Sequence, residues 1–566
     1  MLGILLFTGC TDTTHFPESA ATICQSEVTP IPLLQGDGYS SPLAGTESTV
    51  RGIVTYIARG DGFYIEEPGP QRNADSSKAL FVSDEDLSRS VLPGLQLALR
   101  GTVSELGSSL DKLTSLTNLS GHEICAENLE LPLTQAELPL NSAEREALEG
   151  MRLSFDQELT VTDVYNQFRG ELALSSSGVH WVSTEIKMPG SAALALERKN
   201  RNHSLLAIPG DAISGPLSVG STFDTTVGLM GHNGHKQQLF LDSAQVENGP
   251  APESPDPPAA GAIRVVSSNL LNFFNGDGKG SGFPTERGAE SLEDFNAQSA
   301  RIHAAMTIMQ PDLLAVQELE NDGFGPDSAA RSLLAVLNDT GHDDWAFIEP
   351  ETGRIGGDVI TVGLFYRQQV LESVGPARVL GGPEFQRLSR QPLAQLFRER
   401  RTGKTFLVAA NHLKSKGRCP DDGENSDQED GQGCWNSARV SAVRAQAPWL
   451  EELAAESGTD NIMILGDMNA WRNEDPIRQF RKFGYADLVE QLSGLPQYSF
   501  LYWGQIGTLD YALASPALAE HARRAEIWHI NANWPQKMEQ LQPWLRASDH
   551  DPVIVDLDFS HWATSD

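Results

Sequence analysis

Apolar and polar residues alternate in short runs through the first 247 positions. "STVRGIVTYIA" (48–58) alternates, "GDGFYIEE" (60–67) follows a glycine turn, and "KALFVS", "QLALRGTVSEL" and "HEICAENLEL" continue the rhythm to 131. A second set follows in "MRLSFDQELTVTDVY", "ELALS", "STFDTTVGLMG" and "QQLFLDSAQV". Period two with frequent turns predicts strands, here two small β-barrels at 30–130 and 131–247. "NGPAPESPDPPAAG" (248–261) carries no periodicity and reads as a stiff, extended linker. Beyond it the pattern becomes mixed. Apolar strands such as "IRVVSSNLLNF", "DLLAVQEL", "ITVGLFY", "FLVAANHL", "NIMILGDM" and "PVIVDLDF" are separated by helical stretches at 293–309, 328–339, 437–457 and 475–483. "FRERRTGKTFLV" reads as a hairpin about Thr402-Gly403. Adjacent antiparallel strands together with long helical crossovers predict a mixed α/β domain over 262–562 rather than a doubly wound parallel sheet.

Polar residues gather at the ends of these strands: Asn269, Glu318, Asn411-His412, Asp467 with Asn469, Asp510, and Asp549-His550. One such residue is a cap or a turn former. Six separate segments that each carry such residues point to a site built at strand ends. Carboxylates with an asparagine suit a hard divalent cation, and two histidines suit proton transfer near neutral pH. No G-x-S-x-G, P-loop or HExxH occurs. The chemistry that fits is metal-assisted hydrolysis of a phosphoester by water.

Length and charge refine this. A chain of 566 residues exceeds one core. The net charge of −34 repels polyanions at long range, and it leads one to expect divalent cations among the acids. Of the five cysteines, Cys10 follows the apolar start "MLGILLFTG", too short to span a bilayer. That start resembles the end of a secretory signal entering a lipoprotein box, although no Lys or Arg precedes it, so 1–29 reads as signal and tether with Cys10 as the lipidated residue. Cys419 and Cys434 bracket one loop and leave Cys24 with Cys125. An even remainder in an exported chain reads as two disulfides.

"SNLLNFF", "LAVQELE", "NHLKSK", "GDMNA", "TLDYALAS" and "SDHDPV", in this order, resemble the endonuclease/exonuclease/phosphatase superfamily, whose familiar member is pancreatic deoxyribonuclease. "FFNGDGKGSGFPTERGAES", "QELENDG" and "WHINAN" are similar to its bacterial extracellular nuclease branch, and the front half loosely resembles the OB-like modules that precede such nucleases. The resemblance implies a two-sheet α/β sandwich. It implies Glu318 as principal ligand of Mg²⁺ (or Mn²⁺), with Asn269 and Asp549 beside it. His550 would be the general base and Asp510 would orient its ring. His412 would serve the departing oxygen, and Asp467 and Asn469 would position water and phosphate.

Other residues carry two readings each. Asp358 either supports His412 or only forms a turn. Arg354 and Arg367 reach phosphate or form surface salt bridges. Lys414 and Lys416 would meet the phosphate backbone. The hairpin "RLSRQPLAQLFRERRTGK" extends that cationic patch or is an edge strand defended by charge. The acidic loop 420–433, like Asn275 and Asp277, offers structural Ca²⁺ ligands or is simply solvated; its spacing is not that of an EF-hand. The expected protein is an exported or lipid-anchored, outer-membrane-associated nuclease acting on DNA, with RNA as a possible substrate and no protein partner. The alternatives are another phosphodiesterase or phosphatase of the superfamily, such as a sphingomyelinase, or a surface nucleic-acid-binding protein with a degenerate catalytic domain.

Overall fold

The computed structural model describes residues 22–560 apart from 59, 72, 109–110, 214, 233–235, 250, 387–388, 495–496 and 537–541, so Cys10 and the expected signal lie outside the described residues. The chain forms two compact units. One comprises 1–136, 140–154 and 228–238, the other 137–139, 155–227 and 239–566. The stretch 131–247, expected as a second small β domain, is thus divided between them. Among the described residues no helix is long and apolar enough to cross a membrane.

In the first unit, strands Glu47–Ala58, Gly62–Glu66, Ala79–Val82, Asp111–Ala126 and Gln96–Ser108 close into a barrel in that order. Alternate residues fill it, among them Val50, Val54, Phe63, Ile65, Leu80, Val82, Leu97, Leu99 and Leu116. A disulfide between Cys24 and Cys125 ties the segment ahead of the barrel to its last strand.

The second unit holds two six-stranded sheets. One runs Trp345–Phe347, Ile360–Arg367, Leu313–Glu320, Ile263–Phe273, Val553–Leu557, Ala522–Ile527. The other runs Leu371–Val379, Leu393–Glu399, Thr405–His412, Ile462–Asp467, Asp510–Ala514, Ala486–Asp487. Each has one parallel pair, Ile263–Phe273 with Leu313–Glu320 and Thr405–His412 with Ile462–Asp467, crossed over by helices Leu292–Met309 and Asn436–Ser457. The sheet is mixed, as the pattern predicts. The strand period of two divides the core. Phe406, Val408, Ala410, Met463, Leu465, Ala512 and Ala514 join the apolar cluster shared with the other sheet. Leu407, Ala409, Ile464, Tyr511 and Leu513 pack instead with Ala442, Val443, Leu450, Ile477 and Phe480 of the helices outside.

The Pro-rich stretch 248–261 is fastened rather than free. Fully buried Arg264 donates to the Asp556 carboxylate at 2.7 and 2.8 Å and to the Asp256 carbonyl, while Trp528 Nε1 donates to the Glu253 carbonyl at 2.6 Å. Residues 155–227 supply strands Leu159–Asp163, Leu172–Ser175 and Ser204–Ile208 as antiparallel neighbours, and helix Ser191–His203. They also supply the short strand His180–Trp181, which pairs with Gln505–Gly507 beside Phe500–Tyr502.

Candidate active site

Register assembles the first half of the site. His412 pairs with Asp467, and Asp467 pairs with Asp510, so three chemical groups stand in one row across three neighbouring strands. Each continues the inward parity of its strand, after Ala410 and Leu465 and before Ala512. The approach needs Gly466. Its φ is +136°, and a Cβ there would meet the Asn411 carbonyl oxygen at 2.1 Å. Asn469 then turns back at φ +47°; its backbone N–H donates to Asp467 Oδ1 at 2.7 Å and its amide to Asp467 Oδ2 at 3.1 Å.

His550 completes the row. Its Nδ1 lies 2.7 Å from Asp510 Oδ2, which also accepts from Ser499 Oγ at 2.7 Å. The Phe500 ring rests 4.5 Å from the imidazole. Burial alone would strip a proton from His550, but Asp510, Asp467 and Asp549 together hold it well above the ordinary histidine value. His412 is the opposite case. Burial pushes it well below that value, and Arg390, His550 and Arg287 push the same way. His412 is therefore a neutral hydrogen-bonding ring, with Nε2 3.4 Å from Asp467 Oδ2 and Nδ1 unpartnered. Burial also raises the Asp467 carboxyl.

Backbone irregularity assembles the second half. The ladder between Ile263–Phe273 and Leu313–Glu320 breaks after Asn269, and Leu271, Asn272 and Glu318 adopt left-handed φ of +54°, +54° and +62°. Such a bulge re-aims a side chain at a strand end. The Asn272 N–H donates to Glu318 Oε2 at 3.0 Å, and Asn269 faces both Glu318 and Asp467, with Nδ2 3.4 Å from Asp467 Oδ2. Burial lifts the Glu318 carboxyl above its ordinary value and the neighbouring Asp549 adds to the lift. Glu318 and Asp549, both part-exposed, repel one another here, and paired carboxylates suit a hard divalent cation; Asn269 turns its Nδ2 toward Glu318 and Asp467 while its Oδ1 accepts the Leu271 N–H at 3.0 Å. Asp467, Asp510 and His550 also converge, with ligand atoms within 4.8 Å, the one such group among the described residues. The imidazole of that group is engaged with Asp510 through Nδ1.

Other expected residues stand elsewhere. Asp358 does not meet His412; it pairs with Arg390 Nε at 3.2 Å. Lys416 is not free for phosphate. Its Nζ is 2.6 Å from buried Glu474 and donates to the Gln432 carbonyl, and burial lowers it to about 8. Lys414 donates to the Ser415 carbonyl at 2.9 Å and lies over the Trp435 ring. Arg367 pairs with Asp344 at 3.0 Å and lies 3.7 Å from Asp312. Asp277 accepts the N–H groups of Lys279 and Ser281 in a turn, and Asn275 donates to the Asp327 carbonyl. The six acids of loop 420–433 form no group able to share one ion among the described residues. Cys419–Cys434 closes that loop as a disulfide, and the Asp430 carbonyl accepts the Gly190 N–H.

Among the cations whose charge acts on the site are Arg390 and Arg287. Arg390 donates to the Leu413 carbonyl at 3.2 Å, and its charge acts on Glu318, Asp467 and His412; that of Arg287 acts on Arg390 and His412. Neither was singled out from the sequence. Arg287 lies within "FPTERGAES" and Arg390 within the Arg-rich hairpin, so both stood in stretches already marked.

Residues 266–550 match the model of the endonuclease/exonuclease/phosphatase family, and the chain belongs to that family. No curated protein matches the chain. Solved structures of similar fold include a family protein from Bacteroides vulgatus, at 14% identity over 52% of this chain and 98% of that one, with a TM-score of 0.36. The human Nocturnin catalytic domain with bound sulfate is similar at 20% identity, covering 53% and 95%, with a TM-score of 0.34. D. rerio TDP2 complexed with a single strand DNA product is similar at 15% identity, covering 52% and 99%, with a TM-score of 0.32.

Proposed function

We propose that this protein is an exported, divalent-cation-dependent phosphodiesterase that hydrolyses DNA. The observation that carries the reading is the His550–Asp510 contact of 2.7 Å standing in one row with Asp467 and His412, beside Glu318. Asp510 holds the Nδ1 side of His550 and leaves Nε2 to take a proton from water. Asp467 and Asn469 orient that water and the phosphate. The water oxygen bonds to phosphorus as the bond to the departing 3′ oxygen breaks, leaving a 5′-phosphate. His412, neutral, hydrogen-bonds the departing oxygen. Mg²⁺ or Mn²⁺ held by Glu318, Asn269 and Asp549 would offset charge on the phosphate. Arg390 and Arg287 supply the local positive field that a chain of net charge −34 needs to accept a polyanion.

Export is read from the two disulfides, which persist in oxidising compartments. Anchoring through Cys10 is tested by detergent partition of the cellular protein against Cys10→Ser. The barrel's strand order, first, second, third, fifth and fourth, supports an OB-like reading of 47–126.

The test is nicking of supercoiled plasmid with Mg²⁺, Mn²⁺ or Ca²⁺, with EDTA, and with His550→Ala. Nicking that requires metal and fails in the variant is expected. The strong overall acidity favours a second reading, a smaller phosphoester or a lipid headgroup as substrate. Hydrolysis of such esters without any cleavage of DNA would replace the first reading with the second.

A further inference from the structure

Residues 155–227 carry none of the chemical groups above, yet they enter the site's foundations. Glu185, 2% exposed, reaches across to two loops at once. Its Oε2 accepts the backbone N–H of Arg472 at 3.1 Å and that of Thr508 at 3.2 Å, and its Oε1 faces Arg472 Nε at 3.1 Å. Arg472 follows Asp467 and Asn469 on one loop. Thr508 stands two residues before Asp510 on the other. The surrounding contacts repeat the join. The Val182 N–H donates to the Ile506 carbonyl at 2.9 Å, and Asn473 is held by the carbonyls of Thr184 and Glu185. The Thr184 hydroxyl donates to Glu474 at 2.9 Å. Val182, Trp471 and Leu509 form one apolar cluster against Phe500.

The geometry points to Glu185 as a positioning residue: a non-catalytic module sets the place of Asp510 and, through it, of His550. The path is short. Strand His180–Trp181 pairs with Gln505–Gly507, which pairs with Phe500–Tyr502. At the root of that hairpin Ser499 Oγ accepts the N–H groups of Leu509 and Asp510 at 3.0 Å each and donates to Asp510 Oδ2. The Ser499 carbonyl accepts the Asp551 N–H at 2.7 Å, next to His550. An acid fixed at one end of this path holds both arms of the row. Buried between two backbone donors and a guanidinium, Glu185 has little freedom to move, so it passes position rather than motion.

This inference rests on the phosphodiesterase reading, and the experiment separates the two. Glu185→Gln, Ser499→Ala and the double variant are compared with Gln167→Ala, which breaks bonds to Gly215 and Leu217 inside the module, away from the join. The substrate is bis(p-nitrophenyl) phosphate, which lacks a polynucleotide chain. Wild-type hydrolysis with Mn²⁺ tests the reading. The expected result for Glu185→Gln is a kcat lowered about tenfold with KM within twofold, and a double variant with Ser499→Ala that loses less than the product of the single losses. Gln167→Ala keeps wild-type kcat even where its Tm falls. Hydrogen exchange supplies a readout independent of activity: Glu185→Gln should lose protection across 506–511, and Gln167→Ala should not. A folded Glu185→Gln with wild-type kcat and unchanged exchange overturns the inference, as does a kcat that merely tracks Tm across all variants.

Discussion

Strands Ile263–Phe273 and Leu313–Glu320, and strands Thr405–His412 and Ile462–Asp467, are both parallel neighbours joined through a long helix. Their ends are built by different means. In the second pair the ladder runs unbroken to His412 and Asp467, and each polar group falls where a period of two puts it. In the first pair the ladder breaks, three residues take left-handed φ, and Glu318 is held against Asp549 in spite of repulsion. Regular backbone thus serves groups that hydrogen-bond one another. Irregular backbone holds Glu318 and Asp549, which repel one another and which the proposed cation would join. The first kind should add stability as the protein stands. The second should cost stability until metal arrives.

The comparison breaks most sharply at the row. Asp510→Asn removes the partner of His550, and its predicted effect is a rate loss on the order of 10²–10⁴. It also costs about 3–5 kcal/mol of stability, because a buried, charge-holding pair is broken. Plasmid nicking and urea unfolding read the two effects. The acid limb of the wild-type rate should lie above the ordinary histidine value of 6.5, since His550 must lose its proton to act and its carboxylate neighbours retain it. Bound cation lowers that limb by offsetting those neighbours.

Lys416→Met comes next. Glu474 would be left buried without its cation, so about 3–5 kcal/mol of stability should disappear while KM for DNA stays within twofold. A large KM change with intact stability would return Lys416 to the phosphate backbone. Gly466→Ala forces a Cβ against the Asn411 carbonyl and is expected to cost about 1–3 kcal/mol, with loss of activity.

The smallest effect on stability has the opposite sign. Glu318→Gln should abolish nicking, yet raise the stability of the metal-free protein by about 0.5–2 kcal/mol. The pH dependence follows from the raised carboxyl. The folded protein keeps the Glu318 proton to higher pH than the unfolded chain does. The penalty is therefore absent below the ordinary value of 4.5 and sets in as pH rises above it. Thermal melts of metal-free protein should show this decline, Mg²⁺ should reverse it, and the Gln variant should flatten it.

Sequence pattern reached some of this and not the rest. The four helices expected beyond the linker begin and end within a residue of the positions their periodicity predicts, because caps such as Ser291 and Ser328 are local signals; helix Ser191–His203 is not among those expected. Polar residues at strand ends were visible for the same reason. Register was not. That Asp467 faces Asp510 depends on a pairing across more than forty residues, which nothing local announces. Lys416 was misread because its partner, Glu474, lies 58 residues on. Arg390 was passed over because its aim depends on Asp358, on another sheet strand's approach. Proline content predicts an extended stretch at 248–261, but only the fold reveals that Arg264 and Trp528 hold it down.

The join at Glu185 bears on where this protein can be cut. The stretch that matches the family starts at 266, whereas the compact unit that holds it also contains 155–227. A fragment trimmed to the shared stretch would keep Arg472, 6% exposed, and discard the acid that answers it.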